Sequence, residues 1–359
     1  MLPRERVLTT LRRSTPDKVP RLLSLTPPKL EEFRRRTGAD LPAEYFDFEV
    51  RHVDVQPTRL KTDFTPYLGP MPANSWVNEW GIGNVPGGFY HFEDYVHPLR
   101  QASSSKDVAA YPFPDVTADY RYAGIDDQVA EWHGRGYAVA AGIPHFSGTL
   151  FECAWILTGM EKLLSDFLLN PSLVAALLDW LTESAIKSAI RLTRAGIDVL
   201  QTGDDVGTQR GMMMSPKMWR RWFKPRMAEI VVAAKRVRSD LLVFYHSDGN
   251  IEPIIPDLIE IGIDILNPIQ PECMDPAQLK REYGHHLAFW GTIGTQTTMP
   301  FGTPEEVEAT VKERIDTVGK GGGLVLAPTH VLEPDVPWEN IVAYMEAVDK
   351  WGWYADRTC

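Results

Sequence analysis

From about residue 125 onward the chain repeats one unit, a helical stretch followed by a short apolar run, at roughly 25 to 45 residues per unit. Such alternation implies parallel strands joined by crossover helices, because a strand returning parallel to its neighbour needs a long connection. The apolar runs at 138–144, 198–202, 241–245, 263–268, 287–291 and 324–327 read as strands. Helices are expected over 125–133, 150–167, 171–195, 215–237 with breaks, 251–261, 275–283, 304–319 and 338–351. Ser215-Pro216 suits a helix start, with Ser as the cap and Pro in the first turn. An amphipathic helix ending at Thr15-Pro16-Asp17 and a strand at 19–25 precede this series. About eight strand candidates in a chain of this length favour a closed (β/α)8 TIM barrel over an open sheet. The whole chain, 1–359, reads as one such domain.

Two features interrupt the rhythm. Residues 31–101 are irregular and rich in Pro, Gly and aromatics, among them Trp76, Trp80, Phe89, Tyr90, Phe92 and Tyr95. They read as short strands and loops covering the barrel mouth. The second is Gly321-Gly322-Gly323, which precedes a strand and so forms a helix-to-strand turn, with no phosphate implied. No GxGxxG or P-loop follows an early strand, which disfavours a dinucleotide fold.

Composition narrows the function classes. A net charge of -11 argues against a nucleic-acid surface. The Arg34-Arg35-Arg36 run follows Glu31-Glu32 and reads as a solvated helix face. No stretch approaches the roughly 18 apolar residues of a spanning helix, and the charged N-terminus lacks the apolar core of a signal peptide. Cys153, Cys273 and Cys359 are too scattered for a disulfide framework. The expectation is a soluble cytoplasmic protein.

Barrels of this class carry their chemistry at the C-terminal ends of the strands. Those ends read Pro144-His145, Gly203-Asp204-Asp205, His246-Ser247-Asp248, Asn267-Pro268-Ile269-Gln270, Gly291-Thr292-Ile293 and Pro328-Thr329-His330. Three of the six hold His and two hold Asp, a concentration that points to one mouth. In the tetrad His246-Ser247-Asp248-Gly249, residues i and i+2 share a face, so imidazole and carboxylate stand together. Such a pair can bind a divalent metal or exchange a proton; it can also be a strand end capped by a Ser-Asp-Gly turn. Asp204 and Asp205 repel if both face the cavity, which would raise one pKa and suit acid work, or they cap a turn. His145 is a second catalytic candidate or a core histidine. Cys273 can reach a metal as thiolate or stay buried and inert. Cys153 lies within a helix and reads as packing. Trp76, Trp80 and Trp290 form either an apolar wall for a flat ligand or a plug in the barrel.

Several stretches together carry a specific likeness. Arg4-Glu5-Arg6-Val7 through Pro16-Asp17-Lys18-Val19-Pro20, Glu79-Trp80-Gly81, Gly203-Asp204-Asp205-Val206-Gly207-Thr208-Gln209, and Ala327-Pro328-Thr329-His330 with Pro334-Asp335-Val336-Pro337 resemble the uroporphyrinogen decarboxylase superfamily, which includes corrinoid-linked methyltransferases. The resemblance implies a (β/α)8 barrel over nearly the whole length. The decarboxylase branch carries an Arg-rich Met-Arg-Gln-Ala-Gly-Arg segment after the first strand, whereas Leu23-Ser24-Leu25-Thr26-Pro27-Pro28 stands here. Only His330 matches that branch. The methyltransferase branch binds zinc through His-x-Cys and a later Cys. His246 matches its histidine, Asp248 stands at the first cysteine, His330 stands near the second, and Cys273 offers a replacement sulfur.

The leading expectation is therefore a zinc-assisted methyltransferase acting on a methylated or methoxylated small molecule. Zinc would sit on His246, His330 and Asp248 or Cys273, with Asp204 or Asp205 moving a proton. Trp80 and Trp290 would wall the ligand, and a separate corrinoid protein would carry the methyl group. The rival is a metal-free decarboxylase of a porphyrinogen or aromatic acid, using His330, an aspartate and Arg210 as the nearby cation. A non-catalytic ligand-binding barrel is the third. The sequence leaves the oligomeric state open, with pairing into a homodimer through outer helices one option.

Overall fold

The computed structural model describes residues 1–89 and 92–354, without the side chains of 88, 89, 92 and 93. Tyr90, the rings of Phe89 and Phe92, and Cys359 thus lie outside the described residues. Seven strands hydrogen-bond in chain order, each parallel to the next: β1 (Val50–His52), β2 (Ala138–Gly142), β3 (Val199–Gly203), β4 (Leu242–His246), β5 (Ile265–Asn267), β6 (Ala288–Ile293) and β7 (Leu324–Pro328). Crossover helices join β2 through β7, and β7 is followed by the helix Trp338–Trp351, so the architecture is that of an α/β TIM-type barrel. Most strand residues are apolar and buried because helices cover one face and the barrel interior the other, with polar residues gathered toward the C-terminal ends of β3, β4 and β5.

The eighth barrel position is filled by 19–25, expected as a regular strand and found as two isolated bridges, Arg21 to Leu326 of β7 and Leu25 to Leu332 beyond it. Leu326 N–H donates to the Pro20 carbonyl (2.9 Å) and Leu22 N–H to the Leu326 carbonyl (3.0 Å). The ladder is thin for two local reasons. Pro20 has no N–H to give, and the Arg21 N–H goes to the Glu49 carboxylate (3.1 Å), just ahead of β1. Ring closure between β7 and β1 thus runs through a side chain. β1 itself was not among the expected strands, since Val50-Arg51-His52 is too short to show a period.

Alternation divides the core. Ala138 and Ala140, Val199, Leu242 and Phe244, Ala288 and Trp290, Val325 and Ala327 point into the barrel, where Val7 and Leu11 of the helix Pro3–Leu11 join them. That helix is pinned to the N-terminal end of the barrel by Arg4, which grips Asp198 with Nη2 at 2.8 Å. Two expected helices are broken. The 150–167 stretch splits into Phe151–Thr158 and Met160–Leu169 at Gly159, whose φ of 96° no helix admits. The 215–237 stretch splits into Pro216–Trp222, capped by Ser215 through the Met218 N–H, and Lys224–Val237. Within 31–101, Trp76–Val77, Gly83–Phe89 and Phe92–Val96 form a small antiparallel sheet. Among the described residues no single helix is long and apolar enough to cross a membrane.

Candidate active site

The ends of the strands surround a cavity of about 1030 Å³. β3 and β4 are in close contact where they reach it, at Gly203 and His246. A Cβ on Gly203 would lie 2.3 Å from the His246 carbonyl oxygen, so only glycine fits, and its φ of 151° is itself glycine territory. This contact lets the residues after both strands share one corner. Asp205, His246 and Asp248 each place a ligand-type atom there, all within 4.8 Å of one another. His246 Nε2 lies 3.5 Å from Asp205 Oδ1 and 3.9 Å from Asp248 Oδ1.

The tautomer of His246 follows from its neighbour on β5. Asn267 Nδ2 donates to the Trp290 carbonyl (2.8 Å), so its Oδ1 faces His246 and can only accept. Nδ1 of His246 therefore carries a proton toward that oxygen at 2.6 Å, and Nε2 presents its lone pair to the two carboxylates. Ordering of a ligating imidazole through its other nitrogen is a recurring feature of metal sites. Asp205 is held in turn by the Asp248 N–H (2.7 Å). Asp248 Oδ1 is buried and has no hydrogen-bond partner.

The electrostatics favour positive charge. Burial pulls the His246 imidazolium down, yet Asp205 and Asp248 outweigh it and the group titrates above the ordinary histidine range. A corner that stabilises a proton on Nε2 also stabilises a cation placed there. Burial raises Asp248 to about 6, against the pull of His246. Burial and then Asp205 raise Glu152, whose Oε2 accepts the Asp205 N–H (2.9 Å) and whose Oε1 accepts the Ser147 hydroxyl (2.8 Å). One nitrogen and two carboxylates, one of which carries the orphaned buried oxygen, fit a divalent cation, with a harder donor set than a thiolate site.

The remaining candidates are dispersed. His330 lines the same cavity as His246 and Asp248 but is not part of the Asp205–His246–Asp248 cluster. Burial, and then the nearby His246, lower its pKa. Cys273 is outside the cluster: its Sγ contacts Gln270 Oε1 at 3.5 Å, and burial and Glu272 raise its thiol pKa. Asp204 turns away from the cavity, where its carboxylate accepts the N–H groups of Thr149, Leu150 and Glu152 at the start of the helix Phe151–Thr158. Burial and Glu152 push it up to about 8, with those donors pulling the other way. The two adjacent aspartates thus do not face one space, because consecutive side chains leave the backbone on opposite sides.

His145 touches the cavity, yet both ring nitrogens are engaged, Nδ1 with the Thr149 carbonyl and Nε2 with Ser184 Oγ, each at 2.9 Å. Burial lowers it to about 4, so it is neutral. Trp80 is buried against His145 and Phe146, centroids 5.2 Å away in each case, and holds up the wall without lining it. Trp290 points into the barrel against Phe244. Neither indole is exposed to a ligand. Arg210 is exposed at the tip of a two-stranded turn, Gly207–Thr208 with Gly211–Met212, and does not line the cavity. Cys153 is buried and donates to the Ser147 carbonyl.

Three residues at the site escaped the sequence reading as functional groups. Asn267 and Gln270 stand at a strand end but carry no titratable group to mark them; Gln270 Oε1 accepts the Gly249 N–H (2.7 Å) and fixes the loop after Asp248. Glu152 had no signal, being one acid in an apolar helix whose facing only packing decides.

Residues 144–351, more than half of the chain, match the family model described as uroporphyrinogen decarboxylase (URO-D). The chain belongs to the uroporphyrinogen decarboxylase family. Within this family it is 28% identical over 174 residues to the methylcobamide:CoM methyltransferase MtaA of Methanosarcina barkeri, covering 48% of each chain. It is 25% identical over 185 residues to uroporphyrinogen decarboxylase of Coxiella burnetii, covering 50% of this chain and 48% of that one. The chain thus spans about half the length of these two curated relatives. A solved methyltransferase from Methanosarcina mazei superposes over 98% of this chain and 99% of its own with a TM-score of 0.68, at 20% identity, so the fold is shared end to end.

Proposed function

We propose that this chain is a metal-assisted methyltransferase of the uroporphyrinogen decarboxylase family, working with a separate corrinoid protein on a methylated or methoxylated small molecule. The observation that carries the reading is the Asp205–His246–Asp248 corner, in which Asn267 leaves the Nε2 lone pair free beside two carboxylates. Those three residues would hold a zinc-type ion, which as a Lewis acid would polarise the reacting heteroatom of the substrate. The chain's own groups do the rest. Asn267 fixes the imidazole, the Asp248 N–H fixes Asp205, and Glu152 stands within the same hydrogen-bonded group as an acceptor for a substrate proton. Tyr95, from the small antiparallel sheet, lines the cavity. The methyltransferase named as a relative acts on a methylcobamide, which supports the corrinoid partner.

Decarboxylation of a porphyrinogen is the rival, supported by the decarboxylases among the relatives. It needs cations to hold many carboxylates, and among the described residues no Lys or Arg lines the cavity. Metal analysis of the purified chain tests the proposal. About one equivalent of a divalent transition metal is expected in the wild type, lost in His246→Ala; a metal-free wild type of full stability would end the reading.

A further inference from the structure

The charge and the walls of the cavity specify more than the reaction. Glu152, Asp205, Asp248, Glu333 and Asp335 line it, with no Lys or Arg among the described residues. A divalent ion on the Asp205–His246–Asp248 corner would offset two of these charges, and the lining would still carry more carboxylates than the ion neutralises. Low-dielectric walls focus that field, so an anion entering would be repelled and a cation drawn in.

The same cavity holds an aromatic corner. Tyr95 and Trp155 line it with ring centroids 5.8 Å apart and planes at 67°, an edge-to-face pair at one side of the cavity. Trp155 and Glu152 lie three residues apart on the helix Phe151–Thr158 and so share a face. Both residues are half-buried and line the cavity. Two angled π-faces beside a carboxylate are the chemistry that recognises a methylated ammonium group, which is too bulky and too weakly hydrated for tight hydrogen bonding.

We infer that the cavity takes an organic cation, its alkylated ammonium head lying against the Tyr95–Trp155 pair near Glu152, and refuses anionic substrates. The inference rests on the reading of this cavity as the substrate site, and it stands independently of which metal, if any, occupies the corner.

Calorimetry on the full chain with three isosteric probes tests it: choline, the neutral 3,3-dimethyl-1-butanol, and the anionic 3,3-dimethylbutanoate. Choline is expected to bind about tenfold tighter than the neutral alcohol, with the carboxylate weakest. The gap should narrow as salt is raised from about 0.05 to about 0.5 M, since partly open charges are screened. Trp155→Leu and Tyr95→Leu should each weaken choline about fivefold while leaving the alcohol unchanged, in variants shown by circular dichroism to be folded. Equal affinity for choline and the alcohol, tightest binding of the carboxylate, or no heat from any probe would overturn the inference. Metal content of the same preparation separates the two proposals. Choline preference in a metal-free protein sinks the metal reading alone, and a metal-loaded protein indifferent to charge sinks this one alone.

Discussion

Single atoms decide how the corner is built. Gly203 carries no catalytic group, yet a methyl added there would meet the His246 carbonyl at 2.3 Å and the His246 amide nitrogen at 2.5 Å, both backbone atoms that cannot step aside. Gly203→Ala should therefore push β3 and β4 apart, at a cost of about 2 kcal/mol in urea unfolding, and lose bound metal as well. Asn267 tests the imidazole relay more cleanly. Asn267→Leu removes the acceptor for His246 Nδ1–H and should weaken metal retention about 10- to 100-fold in a chelator competition. Asn267→Asp keeps an acceptor oxygen in the same place and should retain most of the affinity. Equal loss in both variants would mean that the residue serves packing alone.

At the scale of elements, the end of the barrel opposite the cavity is held by an acidic latch. Asp198, just before β3, is buried, and burial opposes its charge. The hydrogen bonds from Arg4, the Val139 N–H at 3.0 Å and His133 at 2.9 Å outweigh that cost and hold its pKa below the ordinary carboxylate range. A carboxylate with a depressed folded pKa lends stability above its unfolded value, about 3.9, and loses it as pH falls through the lower folded value. Asp198→Asn should cost about 2 kcal/mol at pH 7, less than a fully buried pair because Arg4 is part-exposed. The gap between wild type and variant in urea midpoint should hold down to about pH 4 and shrink below it. A gap that stayed constant to pH 2 would assign the loss to packing and not to charge.

Across the whole molecule, the ring is closed at one seam by chemistry and not by a ladder. Glu49 is buried between the 19–25 segment and the N-terminal helix, accepting the Arg21 N–H and Arg6 Nη1 (3.3 Å). Glu49→Leu leaves Arg6 without this partner and the Arg21 amide without an acceptor, and should cost about 3 kcal/mol. Hydrogen exchange should quicken first at 19–25 and 50–52, the elements on either side of the seam. Uniform quickening over all strands would show that the ring opens as one unit.

The parallel barrel was legible in the residues because apolar runs of strand length, spaced by helical periods, have few other ways to be buried on both faces. His246 and Asp248 were legible too, since a two-residue spacing at a strand end puts both on one side. The sequence could not say that Asp205, 41 residues before His246, would complete the corner while Asp204 turned under a helix, because that choice depends on how close Gly203 lets β3 come to β4. Nor could it separate a tryptophan that lines a cavity, as Trp155 does, from Trp80 and Trp290, which are packed out of reach. Local periodicity fixes which face of an element is apolar; only packing in three dimensions fixes which buried groups share a space, and chemistry belongs to groups that share one.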